Sequence, residues 1–174
     1  VQWSLLRSAL NLIEACNDCD RELSANSRSQ AALLDYYITS LREVDRLQRE
    51  FEQAYGDRIE FDDDDVLTPV VMQARSHYGQ LVAKTQSAFI RHLESSGWPP
   101  EGRLANTDTF DRIVAPMLQE AGQRVAYIQI DALRYELGTS LHQLLVDDDL
   151  FEIQAAYAPL PSITRVGMAG LLPG

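Results

Sequence analysis

The sequence predicts a mixed chain, α+β to α/β in class. A helical region spans residues 1–122, and the first β-α-β-α of a helix-flanked sheet spans 123–174. Three observations carry that reading. Apolar residues advance by three or four from Trp3 to the neighbourhood of Glu120. The period then breaks at Val125-Ala-Tyr-Ile-Gln-Ile130, a short apolar run rich in β-branched and aromatic side chains, and helical spacing resumes at Leu133.

The first helix is read from Leu5, Leu6, Ala9, Leu10, Leu12, Ile13 and Cys16, and the small polar stretch Ser24-Ala-Asn-Ser-Arg-Ser29 interrupts it. A longer helix over about 30–55 follows from Leu33, Leu34, Tyr37, Leu41, Val44, Leu47 and Phe51, with Gly56 as its stop. The acidic run Asp62 to Asp65 and Pro69 suit the first turn of a third helix, where free amides and the positive end of the dipole lie. That helix runs through Val70, Ala74, Tyr78, Leu81, Val82, Phe89 and Leu93 to Gly97-Trp-Pro-Pro100. A shorter one, from Thr107 or Asp108 to Glu120, must kink or break at Pro116 and close at Gly122.

Beyond Gly122, Val125 to Ile130 reads as a buried central strand, and Asp131 follows at once. Leu133, Leu137, Leu141, Leu144 and Leu145 mark a helix, Asp147 to Asp149 a polar turn, and Phe151 to Ala158 a second strand. Pro159-Leu-Pro-Ser-Ile-Thr164 leads into a final helix. Val1 in place of Met, and an end at Leu171-Leu-Pro-Gly174 just inside that helix, give both termini the look of cuts.

Composition narrows the functional classes. No apolar run approaches the ~20 residues that cross a bilayer, and no signal-peptide layout opens the chain, so a soluble cytoplasmic protein without a membrane partner is expected. Two cysteines make no disulfide framework. The net charge of −11 divides into 12 basic against 20 acidic residues through Gln123 and 3 against 6 after it, so neither part offers a basic face for nucleic acid.

In helix-flanked sheets, reactive groups gather past the C-terminal ends of strands, which is where Asp131 and Thr164 fall. An Asp carboxylate is a hard oxygen ligand for Zn²⁺, Mg²⁺, Mn²⁺ or Ca²⁺. A Thr hydroxyl needs a base or a metal before it can attack, and at a helix start it would have free amides nearby to hold a phosphate. The competing reading is structural, since Asp and Thr are both good N-caps and each precedes a predicted helix. Cys16 and Cys19 have the spacing of half a zinc site but no second pair, and Asp62 to Asp65 lack the spacing of a calcium loop. His77, His92 and His142 lie in helical patterns with no ligand partner at suitable spacing.

The two blocks Tyr127-Ile-Gln-Ile-Asp-Ala-Leu-Arg-Tyr-Glu-Leu-Gly138 and Tyr157-Ala-Pro-Leu-Pro-Ser-Ile-Thr-Arg-Val-Gly-Met-Ala-Gly-Leu-Leu-Pro173 resemble the start of a PglZ domain. That family belongs to the alkaline phosphatase superfamily and to the BREX phage-defence systems of bacteria. The resemblance covers roughly the last third of the chain, and it implies the first β-α-β-α of an alkaline-phosphatase-like domain, truncated. It implies Asp131 as the first metal-ligand Asp. Thr164 becomes the nucleophile, also bound to one metal of a two-metal site and phosphorylated in turn, with Ser162 two residues away as its rival. Zinc is the implied ion, with magnesium or manganese as alternatives. Arg134, which on a helix would lie one turn from Asp131, is either a phosphate contact or the partner of that carboxylate, and Glu136 is structural.

The implied function is phosphatase, phosphodiesterase or nuclease chemistry in the full-length protein, beside other BREX proteins and on a phosphoester or nucleic-acid substrate. The stretch in hand would be inactive alone for want of the remaining ligands. The alternative is a catalytically inactive scaffold of a defence complex.

Overall fold

The computed structural model describes residues 2–57, 67–122, 124–145 and 151–173. The acidic run 62–65 and the polar turn 147–149 lie outside them. The chain divides into two compact units, Val1–Ser95 and Ser96–Gly174.

The first unit is built on a seam. In α1 (Gln2–Asn26) the buried residues are Leu5, Ala9, Leu12, Cys16, Cys19 and Leu23, alternating steps of four and three. That step is the signature of helices packed side by side at a shallow angle. In α4 (Thr68–Ser96), Val71, Ala74, Leu81 and Ala88 keep the same register. Between them, α2 (Gln30–Tyr36) and α3 (Arg42–Gly56) contribute Leu33, Tyr36, Val44 and a fully buried Phe51.

Polar pairs set the directions. His77 meets Asn17, Lys84 meets Asp20 and His92 meets the Ser27 carbonyl, so α4 runs along α1 in the same sense. Arg75 with Glu52 and Tyr78 with Asp45 place α4 antiparallel to α3. The unit is an up-down-up three-helix bundle. Ser29, in an extended conformation, caps α2 by accepting the Ala32 amide at 3.1 Å.

The predicted helix over 30–55 is present but carries a wide turn, Tyr37–Leu41, in which the Arg42 amide reaches back five residues to the Tyr37 carbonyl. Side chains take up carbonyls there, with Thr39 Oγ1 donating to Asp35 O at 2.8 Å and Arg42 Nε to Ile38 O at 2.6 Å. A second such turn, Phe110–Val114, joins α5 (Asn106–Thr109) to α6 (Ala115–Gln119). It lies just ahead of Pro116, which has no amide to give, so the ladder slips by one residue and Ala115 N bonds to Phe110 O.

In the second unit α7 spans Tyr135–Leu145 and α8 spans Thr164–Ala169. The expected β-α-β-α does not form. Among the described residues there is no strand and no sheet, only a single parallel bridge between Ala105 and Tyr157. The α+β / α/β reading is therefore corrected to an all-helical arrangement with extended connections.

The physical reason is that a strand exists by its backbone ladder, and the 125–130 segment has no neighbouring strand among the described residues to pair with. What survives is the extended pitch. Exposure alternates residue by residue, with Val125, Tyr127 and Gln129 half-buried while Ile128 is 77% and Ile130 51% exposed. The second predicted strand, 151–158, is likewise irregular except at Tyr157. No helix of the described residues is long and apolar enough to cross a membrane.

Three outcomes test the bundle. Phe51→Ala removes a fully buried ring and should lower stability by about 3–5 kcal/mol in denaturant titration. Burial, with Cys19 and Asp20 adding to it, pushes the Cys16 thiol up to about 12, and burial also raises Cys19. Neither should therefore react with iodoacetamide at pH 8 in the native state, and both should after unfolding; prompt native labelling would contradict the packing.

The hydrogen bond from Arg75 holds Glu52 below its ordinary range. With the folded value lowered, the stabilisation is complete above the unfolded pKa of about 4.3 and fades as pH falls through the folded value. For so exposed a pair it should amount to at most about 1 kcal/mol. Glu52→Gln should remove that part of the acid sensitivity, read from melting temperature against pH.

Candidate functional site

The second unit is stitched around residues 98–106 and 157–158. Tyr157 N donates to Leu104 O at 2.9 Å and Asn106 N to Tyr157 O at 3.0 Å. Trp98 Nε1 donates to Ala158 O at 2.7 Å, and the Trp98 ring meets Tyr157 edge-on at 5.7 Å. These contacts anchor the chain just before the 159–163 loop.

At the far end of α8, a Cβ on Gly170 would meet Pro159 Cγ and Thr107 Cγ2, each at 3.4 Å, so the helix end packs closely there because residue 170 has no side chain. One residue on, the Leu171 carbonyl accepts from Tyr127 Oη at 2.9 Å and Gln129 Nε2 at 3.1 Å. Tyr127 and Gln129 share a face of the extended segment because they are two residues apart. The Phe110 ring braces Tyr127 at 6.0 Å. The same two bonds thus tie the strand-like segment to the turn beyond α8.

Asp131 leaves that segment and Thr164 opens α8, and the two side chains meet. Thr164 Oγ1 donates to Asp131 Oδ2 at 3.3 Å across 33 residues of sequence. Both are exposed to solvent. Neither caps a helix. The residue ahead of α8 is Ile163, with no side-chain cap bond, and α7 begins at Tyr135, four residues past Asp131. Between them Ala132 takes a left-handed backbone, φ 56°, which turns the chain out of the extended segment before the helix starts.

Arg134 does not join Asp131. Its Nη2 donates to Glu136 Oε1 at 3.2 Å, and Glu136 is only 1% exposed. The Glu136 main-chain carbonyl accepts from Thr139 and Ser140 at 2.8 and 3.0 Å. Ser162 is exposed in the loop before Thr164, and Ile163 N bonds to Pro161 O at 2.8 Å across it. The Leu160–Pro161 peptide bond is cis.

A carboxylate and a hydroxyl are hard donors. Two oxygens bound tetrahedrally at ~2.0–2.2 Å from one ion lie ~3.3–3.6 Å apart, which the Asp131–Thr164 separation matches. Among the described residues no group of three or more His, Cys, Asp or Glu gathers that could hold a metal ion, so the pair stands as two oxygens alone.

Sequence reasoning missed the bonds from Tyr127 and Gln129 to Leu171. Their period-2 placement in the extended run was the available signal.

Searches of the curated proteins and of the solved structures returned no match to the chain. The stretch that holds Asp131, Arg134, Ser162 and Thr164, residues 109–174, matches the family model of the BREX system PglZ alkaline phosphatase-like domain, the family that the blocks 127–138 and 157–173 resemble.

Proposed function

We propose that this chain is part of a PglZ-type protein of bacterial phage defence. It would work in the cytoplasm with other BREX proteins and, in its full-length form, hydrolyse a phosphoester through Thr164. The single observation behind this reading is the 3.3 Å contact between Thr164 Oγ1 and Asp131 Oδ2 inside the PglZ-matching segment.

Asp131 and Thr164 are the donors this stretch would give to a divalent ion, zinc first, with magnesium or manganese as alternatives. When bound, such an ion acidifies a hydroxyl and stabilises negative charge on phosphoryl oxygens. The residues themselves contribute orientation. The Asp131 carboxylate takes the Thr164 proton in a hydrogen bond and leaves the oxygen lone pairs facing solvent, from which a substrate would approach. Attack on phosphorus would form the threonine O–P bond and break the ester O–P bond, the Thr164 proton passing by way of the Asp131 carboxylate to the leaving alkoxide. Hydrolysis of the phospho-threonine then restores the hydroxyl. Ser162, in the same loop, is the alternative attacking group.

A second reading, an inactive scaffold of a defence complex, draws on the apolar side chains this unit shows to solvent, Ile128 and Leu144 (81% exposed) foremost.

Hydrolysis of a chromogenic phosphodiester by the natural full-length protein separates the two. With a divalent metal added, wild type should turn over, while Thr164→Ala and Asp131→Ala should lose about 10²-fold or more in kcat. Equal rates in all three would remove the site assignment. No metal-dependent turnover in wild type would favour the scaffold.

A further inference from the structure

We propose that Tyr127 and Gln129 are positioning residues for the reaction at Thr164: by gripping the Leu171 carbonyl together, they hold the Thr164 hydroxyl against the Asp131 carboxylate. The inference deepens the phosphoesterase reading above and rests on it.

The contact between Asp131 and Thr164 is too weak to hold itself. It is one hydrogen bond of 3.3 Å between two exposed side chains, so water competes for both partners and the net gain is small. The bonds to Leu171 are better protected. Tyr127 Oη and Gln129 Nε2 come from half-buried residues and reach the same carbonyl at 2.9 and 3.1 Å. The Phe110 ring, edge-on at 6.0 Å, holds the Tyr127 ring in place. The exposed pair therefore takes its geometry from a sheltered one.

The two levers that connect them are short and stiff. Gln129 precedes Asp131 by two residues of extended chain, a reach of about 7 Å. From Leu171 back to Thr164 the backbone is hydrogen-bonded turn by turn: Leu171 N to Met168 O at 3.2 Å, Gly170 N to Val166 O at 3.1 Å, and Gly167 N to Ile163 O at 2.9 Å. These bonds make α8 and the turn after it one piece about 10 Å long. Close packing at Gly170, where a Cβ would meet Pro159 and Thr107 at 3.4 Å, limits how far that piece can slide. A shift at the Leu171 carbonyl is thus carried to Thr164, and misplacing a reacting group by about 1 Å costs on the order of 10²-fold in rate. Tyr127 and Gln129 act through Leu171 and need not touch the substrate, so their loss should fall on kcat and leave KM nearly unmoved.

The test uses the natural full-length protein. Tyr127→Phe keeps the ring and Gln129→Leu nearly keeps the volume, so each removes a donor with little change in packing. With a divalent metal added and the chromogenic phosphodiester as substrate, the double variant should lose about 10²-fold in kcat, with KM within about threefold of wild type. Its melting temperature should fall by no more than a few degrees. A second readout needs neither metal nor turnover. In protein labelled at threonine methyls, the Thr164 methyl signal should move on Asp131→Asn when Tyr127 and Gln129 are intact, and that response should be lost when both are replaced. A merely structural role would lower the melting temperature and leave the response in place.

If the double variant melts far below wild type, the single variants decide: each should lower kcat by about threefold and weaken the methyl response. Singles that match wild type in both then overturn the proposal. If Thr164→Ala abolishes hydrolysis while the folded double variant keeps either its kcat or its methyl response, this inference fails and the phosphoesterase reading stands. A Thr164 methyl signal indifferent to Asp131→Asn in otherwise wild-type protein also overturns the inference. If Thr164→Ala hydrolyses as fast as wild type, or wild type does not hydrolyse, the reading itself fails and takes this inference with it.

Discussion

One main-chain oxygen organises the C-terminal unit. The Leu171 carbonyl takes hydrogen bonds from both Tyr127 and Gln129, and so clamps an extended segment to the turn that ends α8. The geometry follows from that clamp. The segment ends at Asp131, the helix begins at Thr164, and fixing their far ends leaves the two side chains within hydrogen-bond reach. A buried or half-buried carbonyl with two donors is well satisfied, so the clamp also settles polar groups that would otherwise weaken the packing.

The N-terminal unit depends on a different constraint, the strict three-four alternation of small and apolar residues along α1. Ala9, Cys16 and Cys19 are small enough to let neighbouring helices approach, and Leu5, Leu12 and Leu23 fill the spaces between. The Tyr36 hydroxyl donates to the Cys19 carbonyl at 3.0 Å, and burial, with the Cys19 side chain adding to it, holds the phenol well above its ordinary titration range. Asp45 gathers Tyr37 at 2.8 Å and Tyr78 at 3.0 Å, a small polar knot joining α3 to α4 and to the wide turn before α3. These cross-helix bonds choose one register where apolar packing alone would tolerate several.

Much of this was legible in the residues, and the misses share a cause. Helix periods in α1, α3 and α4 could be read because each helix satisfies its own backbone and needs only one apolar stripe to be recognised. Pro116 announced a break, though not that the break would widen the preceding turn. The extended run 125–130 was read correctly as non-helical and wrongly as a buried strand, because period and composition say nothing about whether a partner strand lies alongside. For the candidate site, Asp131 and Thr164 were named from position and from the family blocks, and their side chains do meet. Arg134 was harder. Its choice of Glu136 over Asp131 turns on the left-handed residue Ala132, which carries Asp131 out of the helix and so out of the one-turn spacing that sequence reasoning assumed.

The bare side of that same run has a colloidal meaning. Six residues with strong strand propensity, without charge or proline, and showing two isoleucines to water make a template on which another extended chain could grow by edge pairing. Charged residues stand at its two borders, Arg124 before it and Asp131 after it, where natural sequences post guards against self-association. Asp131 then guards solubility whatever else it does, so neutralising it would strip a sentinel from a sticky ribbon.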